Sequence, residues 1–177
     1  RYRHADGNYV WMEWRARPVG QLIYAVARDI SERRRMVETL RESESKLLTI
    51  LDGVEAYIYL KDFEGRYLFA NRHVRELWRA EMSGIVGRGD ERFFDARTAA
   101  DIRRNARRGL DGGETLRAEE TNTVPETGKT AVYLSIKLPL RRDDGSIYAL
   151  CGISTDITSR IEAEATLADR EAQLRTL

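Results

Sequence analysis

The chain contains few of the residues that form disulfides, metal centres or catalytic sites. It has one Cys and two His among 177 residues, too few for an internal disulfide or a zinc site. No apolar run approaches the ~20 residues that a transmembrane helix needs. Lys and Arg number 30 and Asp and Glu number 29, which gives a net charge of +1. Because positive and negative charges are so nearly equal, the chain has no net electrostatic field to attract nucleic acid or an anionic membrane. We therefore expect no metal, no nucleic-acid partner and no direct membrane insertion.

The remaining composition is that of a globular protein with a highly charged surface. Hydrophobic residues make up 42% of the chain and charged residues 33%, which is not a disordered composition. The sequence opens with Arg-Tyr-Arg-His, without Met or a signal peptide. We interpret it as a cytoplasmic piece of a longer protein.

Two stretches of the chain match each other at a shift of 127 residues. The matched positions are Asp29/Asp156, Ile30/Ile157, Arg33/Arg160 and, downstream, Thr39/Thr166, Leu40/Leu167, Glu44/Glu171 and Leu47/Leu174, with Ser31 opposite Thr158. In both copies an apolar run is followed by Asp-Ile-Ser/Thr and then by a charged run with spaced Leu. A repeat of this kind indicates a repeated structural unit.

The repeat divides the chain into four segments. Residues 1–30 are predicted to be the C-terminal hairpin of a truncated domain, because so short a segment cannot bury a core alone. We expect its strands near 9–17 and 21–28, with a turn at Pro18-Val19-Gly20. Residues 31–53 read as a linking helix, 54–158 as a complete domain and 159–177 as a second helix.

The linking helix carries a narrow apolar stripe. Val37, Leu40, Leu47 and Leu51, with Glu44 between them, follow the alternating spacing of three and four that marks the seam of a coiled coil. Ser31 is a candidate cap at its start, and Gly53 a candidate end. We favour a parallel dimer seam, and an amphipathic helix lying on its own domain is the alternative.

The complete domain is predicted to be α+β with a five-stranded antiparallel sheet and short helices. The predicted strands are Ala56–Asp62, Arg66–Ala70, Glu114–Val124, Ala131–Leu140 and Ser146–Thr155. Asn71 is an N-cap candidate for a short helix, and a longer helix is expected over 98–110. Pro139 should end the hydrogen-bonded ladder of its strand.

In this order of elements the chain resembles a PAS domain. The resemblance is carried by Asp62-x-x-Gly65-Arg66-Tyr67, Asn71, Gly87, Leu138-Pro139-Leu140, Asp144-Gly145 and the closing Gly152-Ile-Ser-Thr-Asp156-Ile-Thr158. It covers about 45–158, and its closing block, the PAC motif, is repeated at 4–33. The resemblance implies a sheet wrapped around a small pocket, a homodimer, and an exit helix (159–177, with Leu167 and Leu174 continuing the seam) that drives an effector domain.

The pocket allows two interpretations. Strand alternation places Tyr133 and Lys137 on the face opposite Val132 and Leu134, so only one set faces the interior. We favour an interior lined by the aliphatic set, with pocket residues Ile58, Leu60, Trp78, Leu134, Ile136 and Ile153, packed shut or suited to a small apolar ligand. The alternative is a polar pocket formed by Tyr59, Trp78, Arg92, Tyr133 and Lys137.

No cofactor is evident in the sequence. In light-sensing PAS domains a Cys attacks flavin, but Glu91 stands at the apparent Cys position, and Cys151 lies in an apolar strand. A haem needs an axial ligand, usually His, and the helix at 98–110 has none. We interpret His73 as a surface residue. Covalent flavin and haem are therefore disfavoured.

Asp29 and Asp156 each stand where a strand meets a helix. A carboxylate there caps the helix and favours its dipole, and Asp29, Asp156 and Thr158 are our candidate signal junction. The sequence predicts a sensory and signal-transmitting region, not itself an enzyme, whose effector is a histidine kinase or a diguanylate cyclase. A spacer that dimerises and senses nothing is the alternative.

Overall fold

The computed structural model of the chain describes residues 1–124 and 128–175. Contacts between residues divide the chain into two compact units, Arg1–Ile50 and Leu51–Leu177. Helix α1 (Ser31–Gly53) begins in the first unit and ends in the second. Each unit has its own antiparallel β-structure.

The first unit contains two short antiparallel ladders and most of α1. Its strands are β1 (Tyr2–Arg3), β2 (Tyr9–Val10), β3 (Met12–Val19) and β4 (Leu22–Asp29), with β1 paired to β2 and β3 to β4. The predicted hairpin is therefore present. Its turn lies two residues later than expected, because Pro18 remains in the ladder opposite Ile23 and Gly20 supplies the positive φ of +61°.

The second unit is an α+β domain built on a five-stranded antiparallel sheet, which confirms the predicted fold class. Its elements are β5 (Tyr57–Lys61), β6 (Tyr67–Ala70), α2 (Arg72–Trp78), α3 (Met82–Ile85), a 3₁₀ turn (Asp90–Arg92), α4 (Ala96–Gly112), β7 (Leu116–Val124), β8 (Lys129–Arg141), β9 (Ile147–Asp156) and α5 (Thr158–Arg175). The strand order across the sheet is β6-β5-β9-β8-β7. Over the described residues, no helix has the length and apolarity needed to cross a bilayer.

Asn71 fixes the corner between β6 and α2. Its side-chain oxygen accepts hydrogen bonds from Val74 N–H, as predicted for an N-cap, and from Ile58 N–H. Its amide group donates to the carbonyl oxygens of Ala56, at 2.8 Å, and of Leu51, at 2.9 Å. One fully buried side chain thus ties the last turn of α1 to β5 and α2.

The prediction that Pro139 ends the ladder of β8 is wrong. Pro139 pairs with Leu150, and the strand continues to Arg141 after a register shift. Val132 O accepts from Ile157 N–H on the β9 side, so the backbone at odd-numbered positions, including 139, faces β7. The ladder with β7 has already ended at Lys137, and a residue without N–H loses no bond there.

Two clusters of buried side chains form the core of the second unit. The larger lies between the sheet and the segment from α2 to Phe93 and contains Tyr59, Tyr67, Ala70, Val74, Trp78, Ile85 and Phe93. Trp78 stacks on Phe93 with centroids 4.1 Å apart. The smaller cluster, Ala106, Leu110 and Leu150, joins α4 to β9.

Gly152 provides the space for the central aromatic side chain of the sheet. It pairs with Tyr59 across β9 and β5, and the Tyr59 ring lies over its backbone. A Cβ atom added at Gly152 would lie 2.1 Å from Tyr59 Cζ, far inside van der Waals contact. Any larger residue must therefore displace the ring from the core.

We predict that Gly152→Ala destabilises the chain by about 2–3 kcal/mol, because overpacking in a core costs this much. The matched control is Gly112→Ala in α4, where an added Cβ meets nothing within 4 Å. That variant should be neutral or slightly stabilising. Urea denaturation of both variants measures the difference, and equal midpoints would contradict the proposed contact.

Candidate functional site

The interior face of the sheet is polar and aromatic. Tyr59 and Lys61 of β5 and Tyr133, Ser135 and Lys137 of β8 are all buried beneath the helices, with at most 9% of each residue exposed. This is the alternative that we disfavoured from the sequence. The structure therefore contains polar groups where an aliphatic lining was expected.

The predicted aliphatic lining has the wrong strand phase. Ile58, Leu60, Leu134, Ile136 and Ile153 lie on the opposite face of the sheet, where Ile58 is buried and the other four are half-buried. Trp78 is the one member of the predicted set that lines the interior cavity. Of the polar alternative, Tyr59, Trp78 and Tyr133 line the cavity, while Arg92 is exposed.

Lys61 and Asp90 form an ion pair inside the domain. Each is 1% exposed, and Lys61 Nζ contacts Asp90 Oδ1. The Tyr67 hydroxyl donates to the same oxygen at 2.6 Å, and Lys61 Nζ lies 4.4 Å from the Tyr67 ring centroid. A buried charge needs such partners, since desolvating it alone costs several kcal/mol.

The loop that carries Asp90 is fastened to β6. Tyr67 N–H donates to Arg88 O at 2.8 Å, and Gly87 N–H donates to Tyr67 O at 2.8 Å. Gly87 has a φ of +79°, a conformation that favours glycine. Gly87 is one of the motif residues quoted in the sequence analysis, and its role is to turn the chain so that Asp90 enters the interior.

Lys137 and Glu120 form a second internal ion pair, on β8 and β7. Lys137 Nζ contacts Glu120 Oε1, and the amide of Asn105 on α4 donates to the same oxygen at 2.7 Å. Beside them the hydroxyls of Ser135 and Ser154 share a hydrogen bond of 2.9 Å between β8 and β9. Among the described residues, these two pairs thus place two ammonium and two carboxylate groups in the interior, and their charges balance.

Burial and pairing act in opposite directions on these groups. Burial lowers the pKa of Lys61 below its ordinary value, and the Asp90 carboxylate opposes this shift. Burial alone would raise the pKa of Glu120. The Lys137 ammonium and three hydrogen bonds outweigh burial and hold this pKa below its ordinary value. Burial also raises the pKa values of Tyr59 and Tyr67, so both phenols are neutral at pH 7.

A small cavity of about 40 Å³ lies between the sheet and α2. Its walls are Tyr57, Tyr59, Tyr67, Val74, Leu77, Trp78, Phe94, Ile102, Glu120, Asn122, Tyr133 and Ser154. The indole N–H of Trp78 is buried and has no hydrogen-bond partner within the described chain. Since one water needs about 10–15 Å³, the cavity holds a few small atoms and offers at least one donor.

Other candidate chemical groups do not form a reactive site. Burial raises the pKa of the Cys151 thiol, and Cys151 lies on the face opposite the cavity, so no thiolate is available there. His73 is half-buried and packs edge-on against Tyr57 with centroids 6.5 Å apart, where we expected a surface residue. Among the described residues, no cluster of three His, Cys, Asp or Glu could hold a metal ion.

Three hydrogen bonds join the sheet to helix α5. Thr158 N–H donates to Asp156 Oδ1 at 3.0 Å, Ile157 N–H donates to Val132 O at 2.9 Å, and Val132 N–H donates to Thr158 Oγ1 at 2.9 Å. The first turn of the helix is therefore attached to the neighbouring strand β8 as well as to β9. The sequence identified Asp156 and Thr158 but not their partner Val132.

The same three bonds occur where β4 meets α1. Ser31 N–H donates to Asp29 Oδ1 at 2.8 Å, and Trp11 N–H donates to Ser31 Oγ at 2.7 Å. Ile30 N–H donates to Trp11 O at 2.8 Å. The Ser31 hydroxyl therefore accepts from Trp11, the residue directly before β3, and not, as we expected, from the helix, while Asp29 accepts from Ser31 N–H. We call each set of three bonds a junction.

The predicted seam residues lie on surfaces that the chain leaves open. Val37, Leu40 and Leu47 on α1 and Leu167 on α5 are exposed, and Leu51 is half-buried. The side chain of Leu174 lies outside the described residues. These positions remain a prediction, because no partner chain is present.

Comparison with known proteins identifies the type of domain. A family model described as PAS fold matches residues 51–162. The methanogenesis regulatory histidine kinase FilI of Methanothrix harundinacea is 34% identical over 137 residues, which are 77% of this chain and 15% of that protein. A diguanylate cyclase of Vibrio cholerae is 28% identical over 119 residues, which are 67% of this chain and 37% of that protein. The chain thus spans well under half the length of these relatives.

Solved structures agree with the fold. The PAS domain of an HTR-like protein from Haloarcula marismortui superimposes with a TM-score of 0.56 at 21% identity, covering 70% of this chain and 99% of that one. A PAS domain from Colwellia psychrerythraea gives a TM-score of 0.56 at 16% identity, covering 65% and 97%. At these identities the similarity is one of fold.

We predict that Asp90→Asn destabilises the chain by about 3 kcal/mol, because it leaves the Lys61 ammonium buried beside a neutral partner. Adding Lys61→Met should recover much of this loss, since the double variant buries no charge at this site. The control is Asp101→Asn, which breaks an exposed pair with Arg104 and should cost under about 1 kcal/mol. Denaturation midpoints measure all three variants, and a single variant as stable as the control would show that the pair does not stabilise the fold.

Proposed function

Because the chain belongs to the PAS fold family, we propose that it is the sensory and signal-transmitting region of a longer signalling protein and not itself an enzyme. The relatives that it matches are a histidine kinase and a diguanylate cyclase. Either effector would lie outside this chain, which spans 15% and 37% of those proteins. The region would pass a conformational change from its sheet to that effector.

The junction at Asp156–Thr158 is the observation that carries this proposal. It attaches the first turn of α5 to two strands at once, through a side-chain bond from Val132 N–H and a cap from Asp156. A shift of β8 against β9 therefore changes the bonds that position the helix. A cap of this kind contributes about 1 kcal/mol, comparable with the 1–3 kcal/mol typical of coupling between two sites.

Helix α1 supplies the matching input. In its last turn, Leu51 O accepts a hydrogen bond from the Asn71 amide. Asp52 of the same turn contacts α2. The Asp52 carboxylate accepts from Arg72 N–H at 2.7 Å and pairs with Arg75 at 3.2 Å. A rotation of α1 would thus be felt at the start of α2, which forms one wall of the cavity.

The cavity is the proposed sensing site. Its volume of about 40 Å³ favours a small ligand, and the Trp78 N–H, which has no partner within the described chain, favours one that carries an acceptor. The paired charges of the interior favour a neutral ligand over an ion. This replaces the purely apolar ligand that the aliphatic lining implied.

We also propose that the chain works as a cytoplasmic homodimer through its helices. The stripe of Val37, Leu40, Leu47 and Leu51 places three exposed apolar side chains on α1, and such a stripe is stable in water when another helix covers it. Leu167 is likewise exposed on α5. A parallel pair of α5 helices would deliver the signal symmetrically to both effector domains.

One observation favours a second function, a dimerising spacer that senses nothing. A cavity of about 40 Å³ is far smaller than the ~150 Å³ that accommodates benzene. The domain would then relay motion from α1 to α5 through a filled core. The junctions serve both functions, so the occupancy of the cavity distinguishes them.

We predict that native mass spectrometry of the purified protein finds a dimer with additional small-molecule mass. Trp78→Phe removes the buried donor and should weaken retention of that mass by about tenfold, the value of one hydrogen bond. Trp14→Phe, at an exposed Trp of the first unit, is the control. A visible spectrum beside it reports any chromophore. A dimer of bare chains would contradict the sensor and support the spacer.

We predict that the double variant Asp156→Ala/Thr158→Val changes effector output of the full-length protein on the order of 10-fold. It removes two of the three junction bonds and leaves the cavity intact. The exposed turn variant Asp143→Asn is the control. The free energy of unfolding should fall by no more than about 2 kcal/mol. Unchanged output in a folded variant would refute the relay.

A further inference from the structure

The first unit repeats the end of the second unit strand for strand. Pro18 pairs with Ile23 in one hairpin and Pro139 with Leu150 in the other. From these pairs the strands run for equal lengths to Met12 opposite Asp29, and to Tyr133 opposite Asp156, and both end in the same junction. The hairpins differ in the connecting loop, which is shorter in the first unit.

The match extends back into a third strand. The pair Tyr2 and Val10 stands where Asn122 and Ala131 pair in the second unit. Gly7 lies three residues before Val10 and Gly128 three residues before Ala131, with φ angles of +90° and +65°. Residues 2–31 therefore correspond to 122–158, that is, to the end of β7, all of β8 and β9, and the start of the exit helix.

In the second unit this hairpin is covered on one edge and one face. Strand β5 pairs with the outer edge of β9 from Leu150 to Ser154, and Leu150 is 0% exposed. In the first unit, within the described residues, β4 pairs with β3 alone. Ile23, the counterpart of Leu150, is 74% exposed. The same surface is buried in one unit and open in the other.

The sequence of β3 shows which face is built to be covered. Four apolar residues lie at the positions that point inward in β8, and three charged residues at those that point outward. The inward positions are Met12, Trp14, Ala16 and Pro18, and the outward positions are Glu13, Arg15 and Arg17. A strand that alternates in this way has one face in a core and one in water.

We propose that residues 2–31 are the last strands of a second domain of this same fold, whose remaining part precedes Tyr2 in the longer protein. That part would be equivalent to residues 56–121. It would pair a strand like β5 with the free edge of β4 and cover the apolar face with helices. The proposal concerns the first unit and does not depend on the sensing or relay function of the second.

The occupant that we infer is a covering domain and not a second copy of the chain. Two copies pairing β4 with β4 would satisfy the free edges, but Trp14 and Ile23 would stay open to water on the face. A covering segment folded like 56–121 buries edge and face together. It must also be apolar, because Trp14 and Ala16 stand where the second unit has Ser135 and Lys137.

Hydrogen exchange in the full-length protein and in residues 1–177 tests the proposal. The amides of residues 22–28 should exchange on the order of 100-fold more slowly in the full-length protein, and about as slowly there as those of 149–155. Equal exchange in the two proteins would overturn the proposal. Slow exchange in residues 1–177 that appears only at high concentration would also overturn it, because a second copy would then be the cover.

Two variants in the full-length protein separate the faces. Ile23→Ser, on the inward face, should speed exchange at residues 22–28 toward the rate of the shorter chain, while 149–155 remain unchanged. Arg15→Ser, on the outward face, should change neither segment. Equal effects of the two variants would show that the apolar face is not covered. The readout here is hydrogen exchange and not effector output. Failure of the proposed relay would therefore leave this test unaffected.

Discussion

The second unit depends on the pairing of charges on the inner face of its sheet. Lys61 and Lys137 each extend from a central strand into the core, and each meets one carboxylate, from Asp90 or Glu120. A slip of either strand by one residue would turn its ammonium to the other face and leave a carboxylate buried alone. The ion pairs therefore set the strand phase, and Asp90 also fixes the loop that follows α3. The walls of the cavity include Glu120 of one pair and Tyr67, which donates to Asp90 of the other.

Local sequence patterns predicted the elements well and the phase of the sheet badly. The cap at Asn71 and the helix expected over 98–110 both depend on neighbours a few residues away. Phase depends on partners 17 and 29 residues away, which no periodicity shows. Strands β5 and β8 carry apolar residues on both faces, so the sequence favoured the aliphatic face as the one that lines the core. The sequence signal that was available is one Lys in each of β5 and β8. A Lys can be buried in a core only beside an acidic residue, so these positions called for a search for acidic partners.

The junctions show the same limit at a smaller scale. The repeated Asp-Ile-Ser/Thr was found from sequence, and Asp29 and Asp156 do accept the bonds expected of caps. The role of the hydroxyl was not predicted, because its partner is a backbone N–H distant in sequence, 20 residues away at Trp11 for Ser31 and 26 residues away at Val132 for Thr158. A side chain that bonds to a strand instead of its own helix makes the helix start sensitive to the sheet. That property is what a relay requires.

The two copies of the junction stand on different interiors. In the second unit the inward positions of β8 include Ser135 and Lys137, and in the first unit the equivalent positions are Trp14 and Ala16. The bonds that launch the helix are nevertheless the same. The junction therefore needs only the backbone of the adjacent strand and does not depend on the chemistry of the core. If both units transmit motion, α1 would be the exit helix of the first unit and, through the bond between Asn71 and Leu51, the entry helix of the second. The core of a unit could then change its ligand without altering the connection to the next domain.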